Sequence, residues 1–151
     1  MRALIVDDDE LARTLMDILL KDAGVDDIAQ ATNGREALAL LKYESADLII
    51  SDWSMPEMGG LELLKACKGD AALKDIPFIM SGARGQQSEI RQAMEVGVDA
   101  YIVKPFSLGE LHAVLRGICR RADGRPLRGA VRAGIHDRWF PTTESEVLPA
   151  R

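Results

Sequence analysis

Four short apolar runs and one polar run alternate with amphipathic stretches of helical spacing across roughly the first 121 residues, and that βαβα rhythm constrains the fold more than any other feature. Strands separated by helices must run parallel, and a parallel sheet needs both faces covered, so the arrangement implied is an α/β doubly wound sheet of five strands. The first strand spans about 2–6. Leu11, Leu15, Ile18 and Leu19 then recur at helical spacing, and Gly24 is placed to end that helix in a left-handed cap. A polar second strand is expected near 26–31. Asn33-x-x-Glu36 resembles a capping box and opens a helix through Ala37, Leu38, Leu40 and Leu41. The third strand is about 47–51, and a Met55–Gly60 loop leads into a helix near Leu61. The fourth strand, about 77–80, starts at Pro77, where a missing amide proton is tolerated. A helix over 86–96 stops at Gly97, the fifth strand covers 99–103, and Ser107-x-x-Glu110 opens a last helix through Leu111, Val114, Leu115 and Ile118.

In such a sheet the carboxyl ends of the strands share one edge, which is where open α/β folds bind ligands. Four of the runs end in a chemically distinctive group. Leu4-Ile5-Val6 leads into Asp7-Asp8-Asp9, and Leu48–Ser51 into Asp52. Phe78-Ile79-Met80 leads into Ser81-Gly82, and Tyr101-Ile102-Val103 into Lys104-Pro105. Each has a plain reading. The aspartate triplet can cap a helix, Asp52 can sit in a turn, Ser81 can be a strand-end hydroxyl and Lys104 a solvated lysine. Capping uses one carboxylate, however, and crowded carboxylates raise one another's pKa unless a cation neutralises them. Carboxylates, a hydroxyl and an ammonium on one edge suit a divalent metal and a phosphoryl group. Magnesium fits so sparse a set, because it takes one or two carboxylates and completes its shell with water and phosphate oxygens.

Charge and composition narrow the partners. Residues 1–120 carry 13 Lys+Arg against 20 Asp+Glu, while 121–151 carry 6 against 4. An acidic body disfavours direct DNA binding. Only a four-residue apolar run precedes the aspartates, so neither a signal peptide nor a membrane span is expected. Cys67 and Cys119 lie in helical segments without a disulfide framework, which reads as reduced thiols of a cytoplasmic protein.

Residues 1 to about 120 resemble the receiver domain of two-component response regulators, and in particular the chemotaxis regulators. The echoes are Leu4-Ile5-Val6-Asp7-Asp8, Ile50-Ser51-Asp52-Trp53-Ser54-Met55-Pro56, Gly60-Leu61-Glu62-Leu63-Leu64-Lys65 and Tyr101-Ile102-Val103-Lys104-Pro105-Phe106. The resemblance implies a flavodoxin-like strand order 2-1-3-4-5 and a signalling domain, 1–121, that is not an enzyme in the ordinary sense; only some thirty residues follow the last helix, too few for a helix-turn-helix effector, so a stand-alone receiver is expected. It implies that Asp52 accepts a phosphoryl group from a sensor histidine kinase or phosphotransfer protein and that the switched surface signals to a downstream protein. Asp8 would coordinate Mg2+ directly, Asp7 through water, and Asp52 and the backbone carbonyl of Ser54 would complete the protein ligands. Lys104 and Ser81 would bind the phosphoryl oxygens, Ser81 and Tyr101 would form the switch, and Lys104-Pro105 would be a cis peptide. Swinging an equilibrium from 1:99 to 99:1 needs about 5.5 kcal/mol. A hydrogen bond to a charged group contributes roughly 1.5–3 kcal/mol, so Ser81 alone cannot drive a full switch.

Departures from the family pattern are local. Gly59 stands where an aspartate usually precedes the glycine, which predicts a looser loop. Gly82 leaves the phosphoryl site open, and Ser54 and Ala83 are small at positions that flank the incoming water. A haloacid-dehalogenase-type phosphatase is the enzyme alternative, with Asp7 and Asp9 as nucleophile and acid and with Ser81 and Lys104 binding phosphate. Leu11 sits where that motif wants Thr or Val, and Asp52 goes unused. A flavodoxin-like electron carrier would need a hydroxyl-rich loop where Asp7-Asp8-Asp9 would repel the FMN phosphate. His112 and Trp53 read as packing residues. In the tail, 122–151, Leu127, Val131, Ile135 and Trp139 are spaced by four, while Gly129 and Gly134 weaken a continuous helix and Pro141 and Pro149 end one. The tail reads as a disordered appendage or as a docking segment through which a regulatory receiver could act.

Overall fold

The computed structural model describes residues 1–83 and 87–122. The expectation of a disordered or docking tail falls, from residue 123 onward, outside the described residues. Five strands and five helices alternate: β1 (Arg2–Val6), α1 (Glu10–Asp22), β2 (Asp27–Ala31), α2 (Gly34–Leu41), β3 (Leu48–Asp52), α3 (Gly60–Lys68), β4 (Phe78–Ala83), α4 (Gln87–Val96), β5 (Ala100–Lys104) and α5 (Leu108–Ala122). All pairings are parallel and the order is β2-β1-β3-β4-β5. No helix among the described residues is long and apolar enough to cross a membrane.

The central strands are buried on both faces, which is why Leu4-Ile5-Val6, Leu48-Ile49-Ile50 and Phe78-Ile79-Met80 read as unbroken apolar runs. Register carries those runs to a common edge. Ile50 pairs with Ile5 on one side and Ile79 on the other, so that Asp52 comes to lie directly opposite Ser81. Ser81 in turn pairs with Ile102, and Ala83 with Lys104. β4 runs to Ala83, three residues past the expected end at 80, because Gly82 and Ala83 continue the ladder against Val103 and Lys104.

Local signals set most helix ends. Gly24 and Gly97 adopt φ of +89° and +111°, the left-handed region that glycine enters without Cβ strain. At α5 the box is reciprocal: the Glu110 amide donates to Ser107 Oγ at 3.1 Å, and the Ser107 amide donates to Glu110 Oε2 at 2.8 Å. At α2 it is not. The Asn33 side chain accepts from the Glu36 amide at 2.9 Å, but the Glu36 carboxylate turns to the amide and hydroxyl of Thr32. At Gly59, where a looser loop is expected, no side chain caps α3, while the Gly59 amide donates to Glu62 Oε2 at 2.8 Å.

Helix α1 departs from the pattern reading. Its buried residues are Met16 and Leu20, whereas Leu11, Leu15 and Ile18 are 75%, 54% and 57% exposed. The helix carries two apolar stripes about 150° apart, and the periodicity could not say which faces the sheet. Arg13 fixes the choice. Its guanidinium donates to the Asp7 carbonyl at 2.8 Å and to Gln30 Oε1 at 3.3 Å, which holds that flank of α1 over β1 and β2.

Candidate functional site

The three consecutive aspartates after β1 divide their work. Asp7 is 6% exposed, and its Oδ1 accepts from the Asp9 amide at 3.0 Å. Asp9 is the N-cap of α1, accepting from the Leu11 amide at 3.0 Å. Asp8 is exposed at the mouth. Asp52, at the end of the neighbouring strand β3, joins Asp7 and Asp8. One carboxylate oxygen from each of the three lies within 4.8 Å of the others. The capping reading of the triplet thus holds for Asp9 alone.

Lys104 reaches this cluster from the end of β5. Its Nζ donates to Asp7 Oδ2 at 3.0 Å and to Asp52 Oδ1 at 3.3 Å. The lysine is one-third exposed and the two acids mostly buried, so the pairs act in a medium where charge is poorly screened. Burial pushes the Asp52 carboxyl above its usual range. Lys104 pulls it back down, and Asp7 adds to the upward push. Burial works to lower the Lys104 ammonium, but Asp52 and Asp7 outweigh it and hold the group above its ordinary value. A buried anion and a buried cation each stabilise the charged form of the other.

The remaining sequence-predicted residues surround this core. The Ser81 hydroxyl, buried opposite Asp52, donates to the Ser51 carbonyl in a long 3.4 Å contact. Ser54 lies two residues beyond Asp52, exposed in the loop that leads to α3. The peptide between Lys104 and Pro105 is cis. Tyr101 is fully buried, with its hydroxyl donating to Glu89 Oε2 at 3.4 Å. Burial, followed by Glu89, raises the phenol well above its ordinary pKa. Trp53 is half-buried against the hydrophobic core. His112 lies on α5, with its Nε2 4.0 Å from Asp22 Oδ2 of α1. Cys67 is buried and its thiol is pushed up to about 11, which makes it an unreactive core residue.

Gly60 belongs to the site although the sequence reading passed over it. A Cβ there would lie 2.2 Å from the Asp52 carbonyl oxygen and 2.6 Å from Met80 Sδ. The Gly60 amide also donates to the Trp53 carbonyl at 2.8 Å. Only glycine lets the start of α3 press against the backbone that carries Asp52. The Gly59-Gly60 pair was the available signal.

Chemically, three carboxylates, an ammonium and a nearby hydroxyl on one rim can hold a hard divalent cation and a tetrahedral anion. The donor set is all oxygen and leaves most of a coordination shell open, which fits Mg2+ better than a softer metal.

The chain matches the response regulator receiver domain over residues 3–116. It is 37% identical over 124 residues to the chemotaxis protein CheY of Pseudomonas aeruginosa, covering 82% of this chain and all of that protein. It is 39% identical over 121 residues to the chemotaxis protein CheY-3 of Vibrio cholerae, covering 80% of this chain and 93% of that one. Among solved structures, the chemotaxis response regulator CheY4 of Vibrio cholerae superposes with a TM-score of 0.71 at 33% identity, covering 78% of this chain and 97% of that chain. A putative response regulator from Chloroflexus aurantiacus gives 0.76 at 31% identity, with 80% and 98% covered. The five-strand order, the clustered acids and these matches agree, and the chain belongs to the response regulator receiver domain family.

Proposed function

We propose that this receiver accepts a phosphoryl group on Asp52 from a phosphohistidine of a sensor histidine kinase or phosphotransfer protein, and that the change at its surface signals to a downstream protein. The observation that carries the reading is the convergence of Asp7, Asp8, Asp52 and Lys104 at one strand edge. Asp52 is the acceptor because it combines strand-end placement, partial burial and contact with the one lysine that can follow the charge. A carboxylate oxygen of Asp52 attacks phosphorus in line, the P–N bond to the imidazole breaks, and the departing imidazole nitrogen keeps the electron pair. Charge spreads over the equatorial oxygens in the transition state, so catalysis is positioning and electrostatics. Lys104, now shared between Asp7 and Asp52, moves its contact to a phosphoryl oxygen, and Ser81 donates its hydroxyl to another. Asp8 and Asp52, with the Ser54 carbonyl, would hold Mg2+ directly and Asp7 would hold it through water; the ion supplies neutralising charge to the transferring group.

The acyl phosphate adds about −1.5 to −2 of charge and new acceptor oxygens at this rim. Ser81 and Tyr101 form the route from the rim to the surface of β5 and α4. An acidic body without DNA-binding character and a buried, unreactive Cys67 suit a protein-binding signal carrier in the cytoplasm. With Mg2+ and acetyl phosphate, the full chain should gain a single phosphoryl group by intact-mass measurement, and Asp52→Asn should gain none. Labelling that survives in Asp52→Asn and disappears in Asp7→Asn would overturn the assignment in favour of phosphatase-type chemistry.

A further inference from the structure

Ser54 lies in the loop between β3 and α3, and what it would offer Mg2+ is a backbone carbonyl. The place of that oxygen depends on how the loop is held and not on a side-chain rotamer. At the start of the loop the Trp53 amide donates to the Ser81 carbonyl at 2.9 Å, and at its end the Gly60 amide returns to the Trp53 carbonyl at 2.8 Å. Between these ties the Met58 carbonyl accepts from the amide of Gly34, the first residue of α2, at 2.9 Å. The first amides of a helix have no partner within it, and α2 directs this one to the loop.

Gly34 is buried, and the contact depends on its having no side chain. A Cβ at position 34 would lie 2.7 Å from Met58 Cγ, 2.9 Å from Met58 Sδ and 3.0 Å from the Met58 carbonyl oxygen. The sulfur can swing aside, because methionine is flexible. Cγ moves only by rotation about the first side-chain bond, against the core on which Met58 packs, and the carbonyl moves only with the loop. The neighbouring residue also needs support from its surroundings. Glu57 has φ of +66°, the left-handed region that a residue with a long side chain seldom enters and keeps only where the structure around it imposes it. The Met58 amide, donating to the Pro56 carbonyl at 2.7 Å, closes a tight turn across Glu57. The bond from Gly34 fixes the far end of that turn.

We propose that Gly34 is a positioning residue for the metal site: by letting the start of α2 close on Met58, it sets the loop that carries the Ser54 carbonyl and so sets Mg2+ affinity without being a ligand. This rests on the reading of Asp8, Asp52 and the Ser54 carbonyl as Mg2+ ligands. It gives α2, which contributes no group to the strand-edge site, a part in placing one. Outer groups that orient a metal's ligands change its affinity by about 10–100-fold when lost. Gly34→Ala belongs at the low end of that range, because the loop keeps its ties at Trp53 and Gly60.

The test is a double-mutant cycle on the full chain. Met58→Ala removes Cγ and Sδ and leaves a methyl group at position 34 only the carbonyl to meet. Trp53 emission in a Trp139→Phe background gives the Mg2+ midpoint of each protein. Hydrogen exchange without metal gives the protection of the Met58 and Gly60 amides. Gly34→Ala should raise the midpoint roughly tenfold and speed exchange at both amides. Met58→Ala alone should change the midpoint little, and the double variant should recover most of both losses. Leu115→Ala, a core truncation on α5, lowers stability away from the loop and should keep the wild-type midpoint. A folded Gly34→Ala protein with the wild-type midpoint would overturn the proposal, and so would a loss that Met58→Ala does not relieve. If Gly34→Ala alone does not fold, the double variant carries the test: a folded double variant whose midpoint stays raised would also overturn it. A wild-type protein whose emission ignores Mg2+ would count against the metal reading itself, and the metal-free exchange would still decide whether Gly34 sets the loop.

Discussion

The ammonium of Lys104 lies 3.0 Å from Oδ2 of Asp7, a residue ninety-seven positions earlier in the chain. The same nitrogen touches Asp52 at 3.3 Å, so one lysine sits between two carboxylates that would otherwise repel each other. Removing it leaves a mostly buried Asp7 facing Asp52 without countercharge. For a fully buried pair such a loss costs ~3–5 kcal/mol. Lys104 is one-third exposed, so solvent softens the effect, and Lys104→Ala should lose about 1–2 kcal/mol at neutral pH in urea unfolding. Millimolar Mg2+ should recover part of that loss and stabilise the variant more than the wild type. An equal Mg2+ effect on both proteins would show that the lysine is not acting as the countercharge.

Asp52 itself should be a stability liability at neutral pH. Its carboxyl is raised by burial, which Lys104 opposes and Asp7 reinforces. A raised folded-state pKa means that folding favours the protonated form, so stability is greatest below the unfolded pKa near 3.9 and falls as pH climbs through the folded value. Asp52→Asn keeps the shape and removes the charge. The variant should melt a few degrees higher than wild type at pH 7, and the difference should shrink as pH approaches 4. A lower melting temperature for Asp52→Asn at pH 7 would mean that the pairing with Lys104 outweighs the cost of burial.

The sheet was legible because its central strands are buried on both faces, so that Leu4–Val6, Leu48–Ile50 and Phe78–Met80 leave no alternation to misread. The strand-end groups followed from the same runs, and register then placed Asp52 across from Ser81. What the pattern could not supply were choices made by tertiary contact. Leu11, Leu15 and Ile18 form as good an apolar stripe as Met16 and Leu20, and the Arg13 contact with the Asp7 carbonyl lies on the flank of the buried pair. Glu62 accepting from the Gly59 amide is a choice of side-chain rotamer that the sequence pattern does not fix. Gly60 and Gly34 were missed as determinants for a related reason. What matters at each is the neighbour that an added Cβ would strike, Asp52 in one case and Met58 in the other, and neither neighbour is close in sequence.

Trp53 adjoins Asp52 and is half-buried, so it should report on the rim. In a Trp139→Phe background, which leaves Trp53 as the remaining tryptophan, adding Mg2+ at millimolar levels should change the emission intensity. Binding should be weak because few protein oxygens take part and water fills the shell. Asp8→Ala should abolish the response, since Asp8 is the exposed member of the acidic cluster and Asp7 is already engaged by Lys104. An unchanged titration in Asp8→Ala would remove Asp8 from the metal site.

Asp9 provides the sharpest separation between the two readings of the aspartate triplet. A phosphatase built on Asp7-x-Asp9 would need the Asp9 carboxyl free to protonate a leaving group. Here Asp9 Oδ1 accepts from the Leu11 amide at 3.0 Å, and Asp9 has the extended backbone of an N-cap. The carboxylate is committed to the first turn of α1, where it satisfies one of the open amides and meets the positive end of the helix dipole. Asp9→Ala should therefore cost about 1 kcal/mol in urea unfolding, as loss of a single cap does. Asp9→Ser, which restores a capping oxygen without a carboxyl, should recover most of that stability. Both variants should still take up one phosphoryl group from acetyl phosphate, because Asp7, Asp8, Asp52 and Lys104 remain in place. Loss of labelling in a stable Asp9→Ser protein would show that the third aspartate takes part in the chemistry and not only in starting the helix.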